Sequence, residues 1–410
     1  MHERLDLNTL KLNAAAPPIN FVYAARALRD FGDGFVAVLL PVYLTGMGFG
    51  ALQVGMVATL ALFGSALATL GIGVLGARMD QRTLLLMASG LMVATGLLFA
   101  AASTYAVILL VAFIGTINPS AGTVSIFVPL EHALLSRSIA DQERTKMFAR
   151  YSLIGALAAA AGSLAVGGVD FLPALGISHP AALRGMFVVY AMVGLIGGLC
   201  YARIPAEVRP IQEKPVAPLG RSRAIVYKMA ALFSIDAFAG GFAVQSMMAL
   251  WLFNTFGLSL SAAGLFFFWS GVFAAFSFPI AAWLARRIGL VNTMVFTHIP
   301  SSLCLILAAV VPSLGAALAL LLLRAALSQM DVPTRSSYVM AVVTPPERPA
   351  AASITSVPRS LAAAASPVVA GALFTAGFEA WPLVICGVLK IAYDLALLWM
   401  FRHIKPPEER

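Results

Sequence analysis

Apolar stretches of helix length alternate with short polar gaps from residue 19 to residue 402. A membrane-spanning helix needs about 20 such residues, so the pattern predicts twelve spans. They fall at 19–46, 51–76, 82–103, 105–136, 146–170 and 181–203, then at 223–254, 259–285, 290–311, 314–342, 349–375 and 381–402. The longest polar interval between them is 204–222, where Pro205, Pro210, Pro215 and Pro218 stand among mixed charges. Such composition makes a linker. The chain is therefore expected to divide into six helices within 1–203, a linker at 204–222, and six helices within 223–410.

Charge follows the same rhythm. Of the 27 Lys and Arg, 19 fall in or beside alternate gaps or at the two termini, and only Arg184, near the start of the sixth span, falls on the other side. Basic residues accumulate on the cytoplasmic side of membrane proteins, which places both termini inside, in the plasma membrane of a cell or the inner membrane of a bacterium. Residues 1–18 are polar and lack the apolar core of a cleavable signal. The net charge of +9 thus calls for no nucleic-acid partner, and a chain that is 60% hydrophobic and 11% charged is a membrane protein rather than a soluble one. Cys200, Cys304 and Cys386 all lie within apolar runs and read as packing residues.

The two halves echo each other. Val128-Pro129 is followed by Glu143-Arg144, and 204 residues later Val332-Pro333 is followed by Glu347-Arg348. Gly34-Phe35 in the first helix is matched by Gly241-Phe242 in the seventh. Parallel six-helix repeats are a transporter architecture, with the binding site between the halves near mid-membrane.

Between helices 2 and 3 the chain reads Gly73-Val-Leu-Gly-Ala77-Arg78-Met-Asp80-Gln-Arg82, and between helices 8 and 9 it reads Trp283-Leu-Ala-Arg286-Arg287-Ile-Gly289. These loops resemble the Gly-x-Leu-Ala-Asp-Arg-x-Gly-Arg-Arg pattern of the major facilitator superfamily. Ala77 stands where the family has its Asp, Asp80 where it has its second Gly, and Arg286 where Asp is expected in the second copy. Gly73, Arg78, Arg82, Arg287 and Gly289 keep the pattern. The resemblance implies an all-α membrane protein of two pseudo-symmetric six-helix bundles that exposes one site alternately to the two sides of the membrane.

Seven basic residues, Arg26, Arg29, Arg150, Arg324, Arg335, Arg359 and Lys390, fall within or at the edges of the apolar runs, where charge is costly and commonly functional. In helix 1, i,i+4 spacing puts Arg26 with Asp30 and Arg29 with Asp33. Asp33 lies near mid-span and is a candidate proton carrier or a structural partner of Arg29. Asp236 in helix 7 has no basic residue within one turn, so it requires a partner from another helix or a proton, and it is the second proton-coupling candidate. Arg324, Ser328, Asp331 and Arg335 share one stripe of helix 10, with Asp331 and Arg335 at i,i+4. Arg335 corresponds to Glu131 under the repeat offset, so Arg29, Glu131, Asp331 and Arg335 are expected in a gating salt bridge between halves or in independent structural pairs. Arg324 and Arg359 are candidates to hold an anion, because a guanidinium donates two parallel hydrogen bonds to a carboxylate or phosphate. Gln245, Asn118 and Ser328 are the uncharged substrate-binding candidates, and Thr116, Ser120, Thr123 and Ser125 continue a polar strip along helix 4. Lys390 and Asp394 read as a structural pair in helix 12 and His298 as a packed residue.

The expectation is a proton-coupled secondary transporter of a small, organic, anionic solute, working as a monomer in the lipid bilayer without a cofactor or metal. Efflux of an amphipathic, drug-like compound by proton antiport is the alternative, given 26 Phe and 16 Met. A transporter-like sensor or assembly partner remains a third class. An enzyme is not expected, since the histidines at 2, 132, 179, 298 and 403 are scattered and no phosphate-loop motif occurs.

Overall fold

The computed structural model describes residues 19–75, 79–121, 125–137, 144–205, 219–220, 222–344 and 347–404. It is all helical over these residues. The α-helices are α1 (Ile19–Gly46), α2 (Ala51–Leu75), α3 (Gln81–Ala101), α4 (Tyr105–Ile114), α5 (Phe127–Arg137), α6 (Arg144–Ala165) and α7 (His179–Ala202), followed by α8 (Arg223–Gly241), α9 (Gln245–Phe256), α10 (Leu260–Ile288), α11 (Leu290–Val310), α12 (Leu314–Ser328), α13 (Asp331–Val342), α14 (Arg348–Thr375) and α15 (Trp381–Phe401). A 3-10 helix, Val166–Leu175, continues α6. Arg78 of the loop motif, Thr123 of the polar strip, Glu143, and most of the linker lie outside the described residues.

Three spans expected to be continuous are broken, each for a local reason. Between α4 and α5, Pro119 offers no N–H and Ala121 takes a left-handed φ of 52°, so the helix cannot run through. Between α8 and α9 the chain leaves the helix just after Gly240-Gly241, the least costly residues at which to end one. Between α12 and α13, Pro333 stands in the first turn of α13, where continuing α12 would drive its ring into the Gln329 carbonyl.

Among the described residues, ten helical segments are long and apolar enough to cross a membrane, counting α6 with its 3-10 continuation, α8 with α9 and α12 with α13 as single crossings. Helix α1 has the length, but Arg26, Arg29, Asp30 and Asp33 fall within it, and α4 alone has only 10 residues.

The helices are grouped by chain order into a first set, α1–α7, and a second, α8–α15; α3 packs on α7 and α1 on α6 in the first, α14 on α8 and α11 on α15 in the second, and α2 packs on α14 across the sets at least as extensively. Matching glycines set the spacing in both. A side chain at Gly34 would meet the Ala159 carbonyl of α6, and one at Gly241 would meet the Ala363 carbonyl and Ser366 of α14. Ala159 and Ala363 are separated by the same 204 positions as the sequence repeat. Helix-to-helix approach this close requires residues without a side chain.

The sets meet through α2 with α14 and through α6 with α10. The hydrogen bonds that cross between them gather at the end where α1 finishes and α2 begins. Leu52 N–H donates to Thr375 Oγ1 at 3.1 Å, Val368 N–H to Thr59 Oγ1 at 3.0 Å, and Ser246 N–H to the Pro119 carbonyl at 3.0 Å. Ser261 donates from its backbone N–H (2.8 Å) and its hydroxyl (2.7 Å) to Asp170 Oδ2. These hydrogen bonds form a seam between the two sets at that end. At the other end, α10, α11, α13 and the C-terminal turn border a groove of about 600 Å³, lined by Arg286, Arg287, Gly289, Asn292, Ser337 and Arg402 among others.

Candidate functional site

Each set carries a buried charge cluster, and each cluster is assembled by helices far apart in sequence. In the first set, α1 supplies Arg26, Arg29, Asp30 and Asp33, all buried. Arg26 approaches Asp30 at 2.6 Å, the i,i+4 pair expected from spacing. Arg29 does not pair with Asp33. Its Nε reaches Asp30 at 3.3 Å and its Nη1 donates to Glu131 Oε2 on α5 at 3.0 Å. Glu131, fully buried, also accepts from the Tyr201 hydroxyl at 2.5 Å and from the Tyr151 hydroxyl. The guanidinium of Arg26 lies 4.6 Å over the Tyr151 ring, and that of Arg29 lies 4.8 Å over Phe127, contacts that offset part of the cost of desolvating these cations.

Asp33 stands apart from this network. Among the described residues it forms no ion pair, and its hydrogen-bond partner is the Tyr190 hydroxyl at 3.3 Å. That hydroxyl also lies 3.0 Å from the Thr116 carbonyl and 3.2 Å from Thr116 Oγ1. A phenol has one proton, so Tyr190 serves Asp33 or the Thr116 carbonyl but not both at once.

The second cluster joins α8, α11, α13, α14 and α15. Asp236 receives Lys390 Nζ at 2.6 Å and Arg335 Nη1 at 3.2 Å, and Arg335 also pairs with Asp331 at 2.7 Å. The expected Lys390–Asp394 pair does not form. Although i,i+4 spacing brings them onto one face of α15, Lys390 turns to Asp236 while Asp394 takes His298 Nδ1 at 3.1 Å. His298 is packed, as expected, and it also contacts Lys390 through Nε2 at 3.4 Å. Arg359 makes no ion pair among the described residues, and its Nε is buried without a hydrogen-bond partner. Arg324 likewise makes no ion pair there; its backbone carbonyl accepts from Ser301 at 3.3 Å.

The clusters differ in charge balance. At this depth the first set holds Arg26 and Arg29 against Asp30, Asp33 and Glu131, leaving one carboxyl over. The second holds Arg324, Arg335, Arg359 and Lys390 against Asp236, Asp331 and Asp394, leaving one cation over. Among the described residues, Asp33, Arg324 and Arg359 are the members without an ionic partner.

Glu131 and Arg335, the pseudo-symmetric pair of opposite sign, do not meet across the halves; each is bound within its own set. Asn118 is tied into the turn between α4 and α5, accepting from Ser120 N at 2.9 Å and Ser120 Oγ at 2.8 Å. Gln245 donates to Ser163 Oγ across the seam at 3.1 Å, and Ser328 closes α12. Arg82 donates to the Ala202 carbonyl at 2.9 Å, which ties the start of α3 to the end of α7. Arg287 lies 5.3 Å over the Trp283 ring, and with Gly289 it lines the groove. Sequence reasoning missed Tyr151, Tyr190 and Tyr201. Their signal was a phenol inside an apolar run, where the hydroxyl must find a partner.

Among the described residues, ten apolar helical segments of membrane-crossing length mark an integral membrane protein. Residues 22–328 and 230–410 match the Major Facilitator Superfamily, and the chain belongs to that family. It is 22% identical over 428 residues to YJR124C, an uncharacterized membrane protein of Saccharomyces cerevisiae, covering 96% of each chain. Among solved structures it is similar to a bacterial homolog of the human lysosomal transporter Spinster, inward-facing and occupied (TM-score 0.71, 16% identity, 97% of this chain and 98% of that one). It is also similar to the nucleoside transporter NupG (TM-score 0.70, 13% identity, 94% and 100%) and to the human organic anion transporter MFSD10 (TM-score 0.65, 16% identity, 93% and 100%). At these identities the solved structures establish the fold alone. The chain is a secondary transporter of the membrane.

Proposed function

We propose that this transporter moves a small organic anion together with proton movement, by alternating access between two six-helix bundles. The observation that carries the reading is the division of charge without an ionic partner among the described residues, a carboxyl (Asp33) in the first set and two guanidiniums (Arg324 and Arg359) in the second. Charge at membrane depth is costly unless neutralised. A proton neutralises Asp33 and an anion neutralises Arg359; Arg324, on α12, is a further candidate donor. Asp33 is the first coupling candidate. Asp236, the second, is engaged by two cations and exchanges a proton only if they move.

Twelve spans follow if α1 crosses the membrane despite its charges, all of which are buried within the protein, and if α4 and α5 together make one crossing. The bundles are then residues 1–203 and 223–410, with 204–222 as a cytoplasmic linker and both termini inside. The seam falls on the outer side in that orientation, which makes this an inward-open conformation. The protein is read as a monomer of the plasma or bacterial inner membrane. MFSD10, described as an organic anion transporter, has the same fold, which is compatible with an anionic substrate.

The test is flux into proteoliposomes, using a substrate drawn from a thermal-shift screen of anions, sugars and drug-like cations. Asp33→Asn is expected to lose gradient-driven accumulation yet keep substrate exchange, because exchange needs no net proton movement. A folded Asp33→Asn protein that still concentrates substrate overturns Asp33 as the coupling site.

A further inference from the structure

The groove at the end opposite the seam lies outside both charge clusters, and its lining is basic. Arg286 and Arg287 close α10 and Arg402 follows α15; all three are exposed and line a space of about 600 Å³, to which Ser337 of α13 adds an exposed hydroxyl. Among the described residues that line it, none is acidic. The arginines have no counter-charge on the bordering helices. Helices α10 and α11 contain no Asp or Glu, α13 contains Asp331 and α15 contains Asp394. Asp331 is bound to Arg335 at 2.7 Å and Asp394 to His298 at 3.1 Å. Arg286, Arg287 and Arg402 make no ion pair among the described residues. Arg402 donates from Nε to His403 Nε2 at 2.9 Å, which leaves its Nη groups for a ligand. Arg286 stands where the loop pattern has an acid, so the charge that would have balanced its neighbour has the opposite sign.

Depth follows from an aromatic contact. Arg287 lies 5.3 Å over the ring of Trp283, which is itself exposed. A tryptophan on the outside of a membrane helix marks the level of the headgroups. From Trp283 the same face of α10 continues through Ile280, Phe276 and Phe273, all exposed, at the three- and four-residue spacing of one helix stripe. The groove thus combines cations at phosphate level with an apolar face leading away from them, a face that suits acyl chains and that a free phosphate would not use. The backbone adds to the field. Gly289, at a φ of 88°, ends α10 and begins α11 within one residue, so the positive end of α11 adjoins Arg286 and Arg287. Its partial charge is secondary to those of the guanidiniums.

We propose that this groove binds the headgroup of an anionic phospholipid, with Arg286, Arg287 and Arg402 on the phosphate and the acyl chains along α10 beyond Trp283. A guanidinium meets a phosphate with two parallel hydrogen bonds, and basic pockets between membrane helices suit such headgroups. Pro333, Thr334 and Ser337 of α13 line the same space, so an occupied groove joins α13 to the end of α10. Helix α13 also carries Arg335, bridged to Asp236 at 3.2 Å, which puts the lipid one helix away from the second charge cluster. The site depends neither on the transported solute nor on proton coupling.

The experiment is native mass spectrometry of the full chain from a neutral detergent, with phosphatidylglycerol or phosphatidylcholine of the same acyl chains added. One phosphatidylglycerol is expected to be held at least about tenfold more tightly than phosphatidylcholine. Arg286→Gln/Arg287→Gln should weaken it by roughly thirtyfold, the effect of two cations beside a headgroup. Arg203→Gln/Arg223→Gln removes as much exposed positive charge from the ends of α7 and α8, outside the groove, and is expected to stay within about threefold of the wild type because distant charge is screened. Equal retention of the two lipids overturns the proposal. So does a loss in Arg203→Gln/Arg223→Gln as large as in the groove variant, since net charge alone then attracts the lipid. A phosphatidylglycerol advantage abolished by inorganic phosphate, but not by chloride at the same ionic strength, assigns the groove to a free anion and overturns the lipid reading. Should the double groove variant fail to fold, Arg402→Gln makes the same comparison with an expected loss of about fivefold.

Discussion

Arg29 on α1 and Asp236 on α8 are symmetry counterparts of opposite charge. They stand as far apart in the chain as Gly34 and Gly241 do, and their partners Glu131 and Arg335 keep the 204-residue repeat offset. The first set thus binds Arg29 to Glu131 at 3.0 Å and the second binds Arg335 to Asp236 at 3.2 Å, the same bridge with its sign reversed. Both bridges join the first helix of a set to the helix that follows a break, which fixes α5 and α13 after the chain has left the preceding helix.

Breaking one of these bridges from a single side leaves a buried charge without its partner, which costs about 3–5 kcal/mol. Glu131→Gln is expected to destabilise the protein by that order, read as a lowered thermal midpoint in detergent. The Tyr151 and Tyr201 hydroxyls bond different carboxylate oxygens, so one can still donate to the single amide oxygen while the other accepts from the amide N–H, and the loss belongs chiefly to Arg29. Exchanging the charges in Arg29→Glu/Glu131→Arg should recover part of the stability, and a Glu131→Gln midpoint equal to the wild type contradicts this account.

Gly34 and Gly185 make a second comparison. A side-chain carbon at Gly34 would lie 2.0 Å from the Ala159 carbonyl, whereas one at Gly185 meets nothing within 4 Å. Gly34→Ala therefore forces α1 and α6 apart at a cost of about 1–3 kcal/mol. Gly185→Ala, inside α7, should be neutral or stabilise by roughly 0.5–1 kcal/mol. Thermal melts of the two variants give the order directly, and a Gly34→Ala protein at least as stable as Gly185→Ala removes the close-packing argument.

Much of this was legible in the sequence, and the failures have one cause. Apolar run length located the helices to within a few residues at most boundaries, and the repeat offset pointed to Glu131 and Arg335 as counterparts. Spacing along one helix then misassigned two pairs, Arg29 with Asp33 and Lys390 with Asp394. An i,i+4 interaction on a helix contributes only about 0.2–0.5 kcal/mol, so a buried partner on another helix prevails. Glu131 lies 102 positions from Arg29 and Asp236 lies 154 from Lys390, distances at which local spacing carries no information. The breaks after α4 and α12 had visible prolines, but an apolar run reads the same whether its helix is continuous or re-started.

Glu347 gives a pH prediction away from the membrane interior. The Ser222 hydroxyl, the Thr344 hydroxyl and the Gly220 N–H all donate to its carboxylate, and together they hold it down at about 2, below its ordinary value of 4.5. A carboxyl held below its unfolded value stabilises the fold fully above that value, and the stabilisation is lost as the pH falls through about 2. Acid should therefore loosen the start of α8 from the loop before α14 between these limits. Hydrogen exchange at residues 219–226, compared with Glu347→Gln, checks it: the variant is expected to exchange faster near neutrality and to show a smaller change on acidification.

Topology is tested with single cysteines in intact cells. Gly48, Thr104 and Glu379 lie in gaps poor in basic residues, while Arg82, Lys214 and Arg348 lie in gaps rich in them. Positive charge is retained on the cytoplasmic side, so a membrane-impermeant maleimide should label the first three positions from outside and spare the others. Labelling at Lys214 contradicts both the twelve-span assignment and the inward-open reading.

Arg359 is the position at which substrate charge is decided. It follows Pro358 within α14, and its Nε is buried with no hydrogen-bond partner. An uncompensated guanidinium at membrane depth costs at least about 2.5 kcal/mol on insertion scales, a cost that binding an anion offsets during transport. Arg359→Gln is therefore expected to weaken an anionic substrate by about 2–4 kcal/mol, the scale of lost charge-assisted hydrogen bonds. Arg359→Lys should recover only part, because an ammonium lacks the two-pronged donor geometry. Isothermal titration of the purified variants measures both. A cationic substrate whose affinity is the same in Arg359→Gln would end the anion reading and leave Arg359 as a structural charge balanced at longer range by Asp236 and Asp331.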